Sequence, residues 1–311
     1  MKKCKILVVD DFNEKFYEEL SKYGYVTRAK DPCDDSKLSE ENILIVRSKT
    51  EVDKELIDKM KGLELVVTAT RGVDHLDVEH LREKGIAFQN IITQVYDVKQ
   101  GVKALIYARY TNLIEANESM KSGRWEKSRF IGRQIRNLSL GVIGFGHIGS
   151  EVAKDLSREM KEVLVYDKYW DEDKIRRANE YGVRITSLEE LLERSDVVTV
   201  HVPLTSETKY MIGKDEINRM RDCAFLINTA RGEVVDEKAL LKALDGGKLS
   251  GAGLDVYEHQ PPFGNEISKK LIRHPNVYAT PHSIAQTTEA MDEKGEAVIK
   301  IIKNYIEKEI I

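Results

Sequence analysis

Three glycines in the run Gly144-Phe-Gly146-His-Ile-Gly149 follow directly on the apolar stretch Leu140–Ile143 and open a segment of helical character. That spacing suits phosphate. Gly144 permits a tight turn, Gly146 lets backbone approach a pyrophosphate, and Gly149 allows a helix to pack closely on a strand. The helix N-terminus then offers N–H groups and a positive dipole to the phosphates. Glycines also mark ordinary turns, so the spacing alone is a weak signal, and its place between strand and helix is what strengthens it. Asp167 ends the next apolar run, Val163–Tyr166, where a ribose-binding acid is expected. An acid there accepts hydrogen bonds from the ribose 2′-OH and repels a 2′-phosphate, which favours NAD over NADP. Lys168 beside it would soften that preference.

The elements that must position these residues form two series. In the N-terminal third, Ile6–Val9, Ile43–Val46, Leu65–Thr68 and Ile86–Phe88 read as strands, alternating with helices at Asn13–Lys22, Val52–Met60 and Val78–Glu83. Continuous apolar strands separated by helices imply a parallel sheet covered on both faces. A proline-free segment, Val98–Lys121, predicts one long helix. The second series has strands at Leu140–Ile143, Val163–Tyr166, Val197–His201 and Ala224–Asn228. Its helices are expected at Ile148–Glu159, after the capping box Ser187–Glu190, and at Asp236–Leu244 before Gly246-Gly247. Val298, Ile301, Ile302, Tyr305 and Ile306 give Thr287–Glu309 an amphipathic helical face. The fold class is therefore α/β, with two doubly wound parallel-sheet domains and no flexible linker between them. Because the glycine turn begins near mid-chain, the first series is left with another task, and substrate binding is the natural candidate.

Composition excludes several alternatives. The 311 residues are 41% hydrophobic and 33% charged, as in an ordinary globular protein large enough for two domains. A net charge of −4 gives no electrostatic footprint for nucleic acid or an anionic membrane. No apolar run approaches a membrane span. The start, MKKCKILVVDD, is too short in its apolar part for a signal peptide and reads as a strand. Cys4, Cys33 and Cys223 lack metal-ligand or redox spacing and suit a reducing cytoplasm.

The chain resembles the D-isomer-specific 2-hydroxyacid dehydrogenases along nearly its whole length. The resemblance is carried by TRGVDHLD (Thr70–Asp77), the GFGHIG turn, HVPLTSET (His201–Thr208), INTARGEVVDEKAL (Ile227–Leu240), GAGLDVYE (Gly251–Glu258) and TPHSIAQTTEA (Thr280–Ala290). It implies a flavodoxin-like substrate domain, residues 1–97 plus 285–311, and an inserted NAD-binding Rossmann domain, residues 98–284, with the active site in the cleft. It further implies a homodimer, and a hydride exchanged between nicotinamide and a small anionic D-2-hydroxy acid or 2-oxo acid. By the same resemblance Arg231 holds the substrate carboxylate, a task suited to a planar, always charged guanidinium. His282 becomes the general acid, imidazole being suited to two-way proton traffic near neutral pH. The commonest fate of an arginine is a surface ion pair, but Arg231 at a strand end, followed by glycine, favours function. Structural roles suit His75, His80, His259 and His274 better. Asp255 matches an aspartate near the nicotinamide, or is a turn acid. The backbone of Arg71, Gly72 and Val73 matches a carboxylate-binding loop, where the Arg71 side chain is unusual. His147, Ile148, Val202, Thr229, Ala230 and Ala285 would line the cofactor by position.

Three positions depart from the family pattern. Where a glutamate usually partners the histidine, this chain has Gln260, which can orient the ring but supplies no charge. Gln94 and Gln100 replace the expected residues before and within the long helix. Glutamine at 260 is similar to formate dehydrogenases, which leaves formate oxidation as one alternative and a weakly catalytic NAD(H) sensor or corepressor as another. Val46–Thr50 is similar to a segment of phosphoglycerate dehydrogenases, so Arg47 and Lys49 would meet a phosphate unless they only cap a solvated strand end.

Overall fold

A computed structural model describes residues 4–30, 40–91 and 95–308. Cys33 and Gln94, both singled out above, lie outside the described residues. The chain divides into two compact units, Met1–Gln94 with Gln286–Ile311, and Val95–Ala285.

In the first unit the strands are β1 (Cys4–Val9), β2 (Gly24–Ala29), β3 (Ile43–Val46), β4 (Leu65–Thr68) and β5 (Ala87–Asn90). They pair in parallel in the order β2-β1-β3-β4-β5, so the winding reverses between β1 and β3. Side chains alternate between two buried faces. Ile6, Val8, Ile43, Ile45 and Leu65 meet Phe16 and Leu20 of α1 (Glu14–Leu20), together with Val298 and Ile302 of the C-terminal helix (Thr288–Lys308). Leu7, Val9, Leu44, Val46 and Val66 face Leu56 and Ile57 of α2 (Lys54–Lys59) and Leu81 of α3 (Val78–Glu83). Asn13, Asp53 and Asp77 start these three helices by accepting a backbone N–H from Phe16, Leu56 and His80. The strand β2 was not expected. It is an edge strand of half-exposed residues, so it lacks the apolar run that marks its neighbours.

The second unit begins with α4 (Val95–Thr111) and α5 (Leu113–Lys121). The single helix expected over Val98–Lys121 is broken at Asn112, whose φ of 53° is left-handed. Asparagine tolerates that conformation better than most residues. The alternating elements follow: β6 (Ser139–Ile143), α6 (His147–Leu156), β7 (Glu162–Tyr166), α7 (Glu172–Tyr181), β8 (Arg184–Ile185), α8 (Leu188–Arg194) and β9 (Val197–Val200). Then come α9 (Lys214–Arg219), β10 (Ala224–Asn228), α10 (Glu237–Asp245), β11 (Leu249–Leu254), α11 (Glu266–Arg273) and β12 (Val277–Ala279). The seven strands form one parallel sheet, β12-β11-β10-β9-β6-β7-β8, reversing between β6 and β9. In such sheets ligands bind beyond the carboxyl ends of the strands at the reversal. Both sheets therefore have the doubly wound α/β architecture expected from the alternation of elements.

Helix α4 belongs to the second unit's core. Val98, Val102, Leu105, Ile106 and Tyr110 pack with Leu140, Val142 and Val152. Gly101 makes a close approach possible, since a Cβ there would lie 2.1 Å from Cγ1 of Ile284. Among the described residues no helix is long and apolar enough to cross a membrane.

Candidate functional site

The turn after β6 has the geometry that its glycines require. Gly144 sits at φ 94°, and a Cβ on it would come within 2.7 Å of the His201 carbonyl oxygen. A Cβ on Gly149 would lie 1.9 Å from the Gly144 carbonyl oxygen, so only glycine lets α6 start here. Around Gly146 the space is open, and this N-cap residue adds no side-chain hydrogen bond to the helix start. The first turn of α6 thus keeps N–H donors for an anion, with His147 exposed beside them. Ile148 packs back on the core. Phe145 is buried against Trp170 at 5.5 Å and Tyr181 at 6.5 Å, which anchors the turn from behind. From the neighbouring strand β9, His201 donates its N–H to Ile143 at 2.7 Å, and Val202 crowds Gly144. Desolvation pushes the His201 pKa down to about 3, and its Nε2 lies 3.0 Å from Thr199 Oγ1. That ring is a neutral structural group.

Asp167, just past β7, is set by a small network. Its Oδ2 accepts the Phe145 N–H at 2.7 Å and its Oδ1 the Tyr169 N–H at 2.8 Å. Lys174 Nζ lies 3.1 Å from Oδ2 and also donates to the Tyr169 carbonyl at 2.6 Å. Lys168 turns to another carboxylate, with Nζ 2.8 Å from Glu207 Oε1, while the Tyr169 hydroxyl donates to Glu207 Oε2 at 2.7 Å. Lys174 and Glu207 were not singled out from the sequence. Lys174 lies in the first turn of an ordinary-looking helix, and Glu207 is remote along the chain, so neither carried a local signal. The set fits a dinucleotide: glycines that admit backbone to pyrophosphate, uncapped helix N–H groups, and an acid at the next strand end. Thr229, past the end of β10, adds a buried Oγ1 without a protein partner, and Ala230 is half-buried beside it.

Arg231 is carried by a turn that Asn228 closes. The buried Asn228 accepts the Ala230 N–H at 3.0 Å and donates to the Arg231 carbonyl at 2.9 Å. Arg231 Nη1 reaches back to the Ala230 carbonyl at 2.7 Å. The following Gly232 is obligatory, because its Cβ would lie 1.9 Å from the Tyr257 carbonyl carbon. Next to this turn Asp255, 2% exposed, organises the segment bearing His282. Its Oδ1 accepts Thr280 Oγ1 at 2.6 Å, Ser283 N–H at 2.8 Å and Ile284 N–H at 3.2 Å. Burial raises the Asp255 pKa, opposed by these donors and by the charge of nearby His282. The Tyr257 hydroxyl donates to the Thr280 carbonyl at 3.1 Å, a second fastening of the same loop. His282 adopts a left-handed φ of 53°, and its Nδ1 lies 2.8 Å from Gln260 Oε1. Glu258 lies two residues before Gln260 in the chain. Its Oε1 accepts the Glu237 N–H at 3.2 Å at the start of α10, so it is a structural acid. Asn228 was missed, although its place directly before the Thr-Ala-Arg turn suits an asparagine that bonds backbone two residues on. Ala285 is half-buried against the core. Gln100 is exposed and lines a groove of about 110 Å³ with Tyr96, Lys99, Lys103 and Asp155.

In the first unit the loop after β4 is fixed by side chains. Thr70 Oγ1 donates to the Gly72 carbonyl at 2.8 Å, and Asn90 donates to the Arg71 carbonyl at 2.6 Å. Thr68 Oγ1 ties Thr70 at 2.8 Å to His75 Nε2 at 2.9 Å. Arg71 is exposed and Val73 packs on the core. Arg47 follows β3 at the winding reversal. Its N–H donates to Asp10 Oδ2 at 2.6 Å, and its guanidinium to the Asp11 carbonyl at 2.9 Å and Gln286 Oε1 at 3.0 Å. Lys49 lies 3.6 Å from Asp11 Oδ2. Both cations are therefore already engaged with the β1 end. Among the described residues no cluster of histidine, cysteine or acids suits a metal.

Residues 103–283 match the family model described as D-isomer specific 2-hydroxyacid dehydrogenase, NAD binding domain. The D-3-phosphoglycerate dehydrogenase of Archaeoglobus fulgidus is 35% identical over 305 residues, 96% of this chain and 57% of that one. The hydroxypyruvate reductase of Thermotoga maritima is 37% identical over 268 residues, 86% of this chain and 85% of that one. A solved structure of D-lactate dehydrogenase from Aquifex aeolicus, complexed with NAD and lactic acid, superposes with a TM-score of 0.88. It is 33% identical, with 98% of this chain and 96% of that one covered. The chain spans 46% to 58% of the length of three D-3-phosphoglycerate dehydrogenases it matches. With a family model over more than half its residues and a similar reductase covered along most of its length, this chain belongs to the D-isomer specific 2-hydroxyacid dehydrogenase family, and residues 103–283 are its NAD-binding domain.

Proposed function

We propose that the protein interconverts a small D-2-hydroxy acid and its 2-oxo acid with NAD(H). The observation that carries this reading is the loop held by Asp255, on which His282 is oriented by Gln260 at 2.8 Å. An amide oxygen facing Nδ1 makes that nitrogen the N–H donor and assigns proton exchange to Nε2. The nicotinamide, when bound, supplies or accepts the hydride. Arg231 holds the carboxylate of the substrate and polarises its oxo group. His282 gives its proton to the oxo oxygen during reduction and takes it from the hydroxyl during oxidation. Gly144, Gly146 and Gly149 would cradle the pyrophosphate, Asp167 the ribose, and Val202, Thr229 and Ala230 the rest of the cofactor. The first unit is assigned to substrate binding through the backbone N–H groups of Arg71, Gly72 and Val73.

A homodimer and a cytoplasmic location belong to the same reading. The dimer is supported by apolar side chains left in solvent on and after α5, Leu113, Ile114, Met120, Trp125 and Ile131, with Trp125 79% and Ile131 82% exposed. Cytoplasm is supported by the free thiol of the exposed Cys223. The test is NADH oxidation with glyoxylate, hydroxypyruvate, pyruvate and phosphohydroxypyruvate, and NAD reduction with formate. Turnover with at least one oxo acid is expected. NADH binding without turnover of any oxo acid would overturn the assignment, and formate oxidation would replace it.

A further inference from the structure

We propose that Glu207 is a specificity-determining residue, which keeps the nucleotide site selective against a 2′-phosphate by holding Lys168 away from the ribose. The inference rests on reading Asp167 as the ribose-binding acid. Four charges surround that position in two pairs, Asp167 with Lys174 at 3.1 Å and Lys168 with Glu207 at 2.8 Å. Lys168 is the next residue after Asp167, and a flexible four-carbon stem suits it to meet a phosphate beside the ribose. The backbone there has little freedom to redirect it. Tyr169 donates its N–H to Asp167 and receives Lys174 on its carbonyl oxygen, so residues 167–169 are pinned on both sides. The direction of the Lys168 side chain is set by the carboxylate it bonds to, with its ammonium also 5.5 Å from the centre of the Tyr169 ring. That carboxylate is itself placed, because the Tyr169 hydroxyl occupies its other oxygen at 2.7 Å. The mutual hydrogen bond lowers the Glu207 pKa and raises that of Lys168, so both stay charged across the working range. Both side chains are about half exposed, so the pair adds little to stability and can be broken without unfolding the unit.

The experiment is calorimetric titration of the full chain with ADP-ribose and with 2′-phospho-ADP-ribose, which report binding without any hydride chemistry. Glu207→Gln keeps an acceptor for Tyr169 and removes the charge from Lys168. It is expected to tighten 2′-phospho-ADP-ribose about fivefold while changing ADP-ribose by less than about twofold. Adding Lys168→Met should erase the gain. Equal changes for both ligands, or a gain that persists without Lys168, would overturn the proposal. Failure of the unsubstituted chain to bind ADP-ribose would instead remove the dinucleotide reading, and the proposal with it.

Discussion

At the scale of single residues, the proposed proton chemistry turns on the amide at position 260, which lies against the His282 ring. A glutamate there would stabilise imidazolium, whereas Gln260 orients the ring through Nδ1 without a charge. Gln260→Glu is therefore expected to raise the His282 pKa, because a carboxylate beside the ring favours imidazolium. Reduction needs protonated His282 and fades as pH rises through that pKa, so the variant's alkaline limb should move upward. Oxidation needs the neutral ring, so its acid limb should move upward too. Identical pH profiles for variant and parent would refute this role. His201 gives a stability counterpart. Its pKa is near 3 in the fold and near 6.5 when unfolded, so between those values the unfolded chain binds more protons. Stability is then unaffected above about pH 6.5 and falls with acidification, by up to about 1.4 kcal/mol per pH unit. His201→Gln should flatten the urea midpoint measured from pH 7 down to pH 4, and an unchanged slope would count against the assignment.

At the scale of elements, the seating of α4 against the His282 loop is the decisive contact. Gly101 faces Ile284, two residues beyond His282, with no room for a Cβ. Gly101→Ala should displace that loop and lower kcat roughly tenfold, since small misplacements of catalytic groups are costly. Affinity for NADH should stay nearly constant, because the glycine turn at the start of α6 is untouched. Trimming the opposing side chain, Gly101→Ala with Ile284→Ala, should restore much of the rate. A double variant as slow as the single one would show that the contact does not act through packing. Much of this level was legible beforehand: the strand β3 was read residue for residue, and Ser187 opens α8 as its capping motif required. The break at Asn112 was not legible, because a left-handed residue inside a helical pattern leaves no proline or glycine to announce it.

At the scale of the whole molecule, the proposed dimer is testable at the exposed apolar residues on and after α5. Trp125 and Ile131 are more exposed than nearly any other large apolar side chain described. Their joint replacement, Trp125→Glu with Ile131→Glu, should convert a dimer to a monomer in sedimentation velocity without changing the circular dichroism spectrum. A parent chain that already sediments as a monomer would remove the interface. The net charge of −4 is too small to oppose association.

The sequence by itself determined the two α/β series and the position of the glycine turn, because strand and helix periodicity and glycine sterics are local properties of the chain. It also ranked Arg231 and His282 as the residues to watch, through motifs that survive without coordinates. Only the tertiary structure decided their surroundings. It gave Asp255 the task of holding the His282 loop, turned Glu258 toward α10, engaged Arg47 with Gln286, and set Lys168 on Glu207. Each of those choices joins residues from 21 to 239 positions apart. A hydrogen bond or ion pair across such separations depends on how strands and loops stack, and no local pattern of residue types encodes which polar group arrives opposite which.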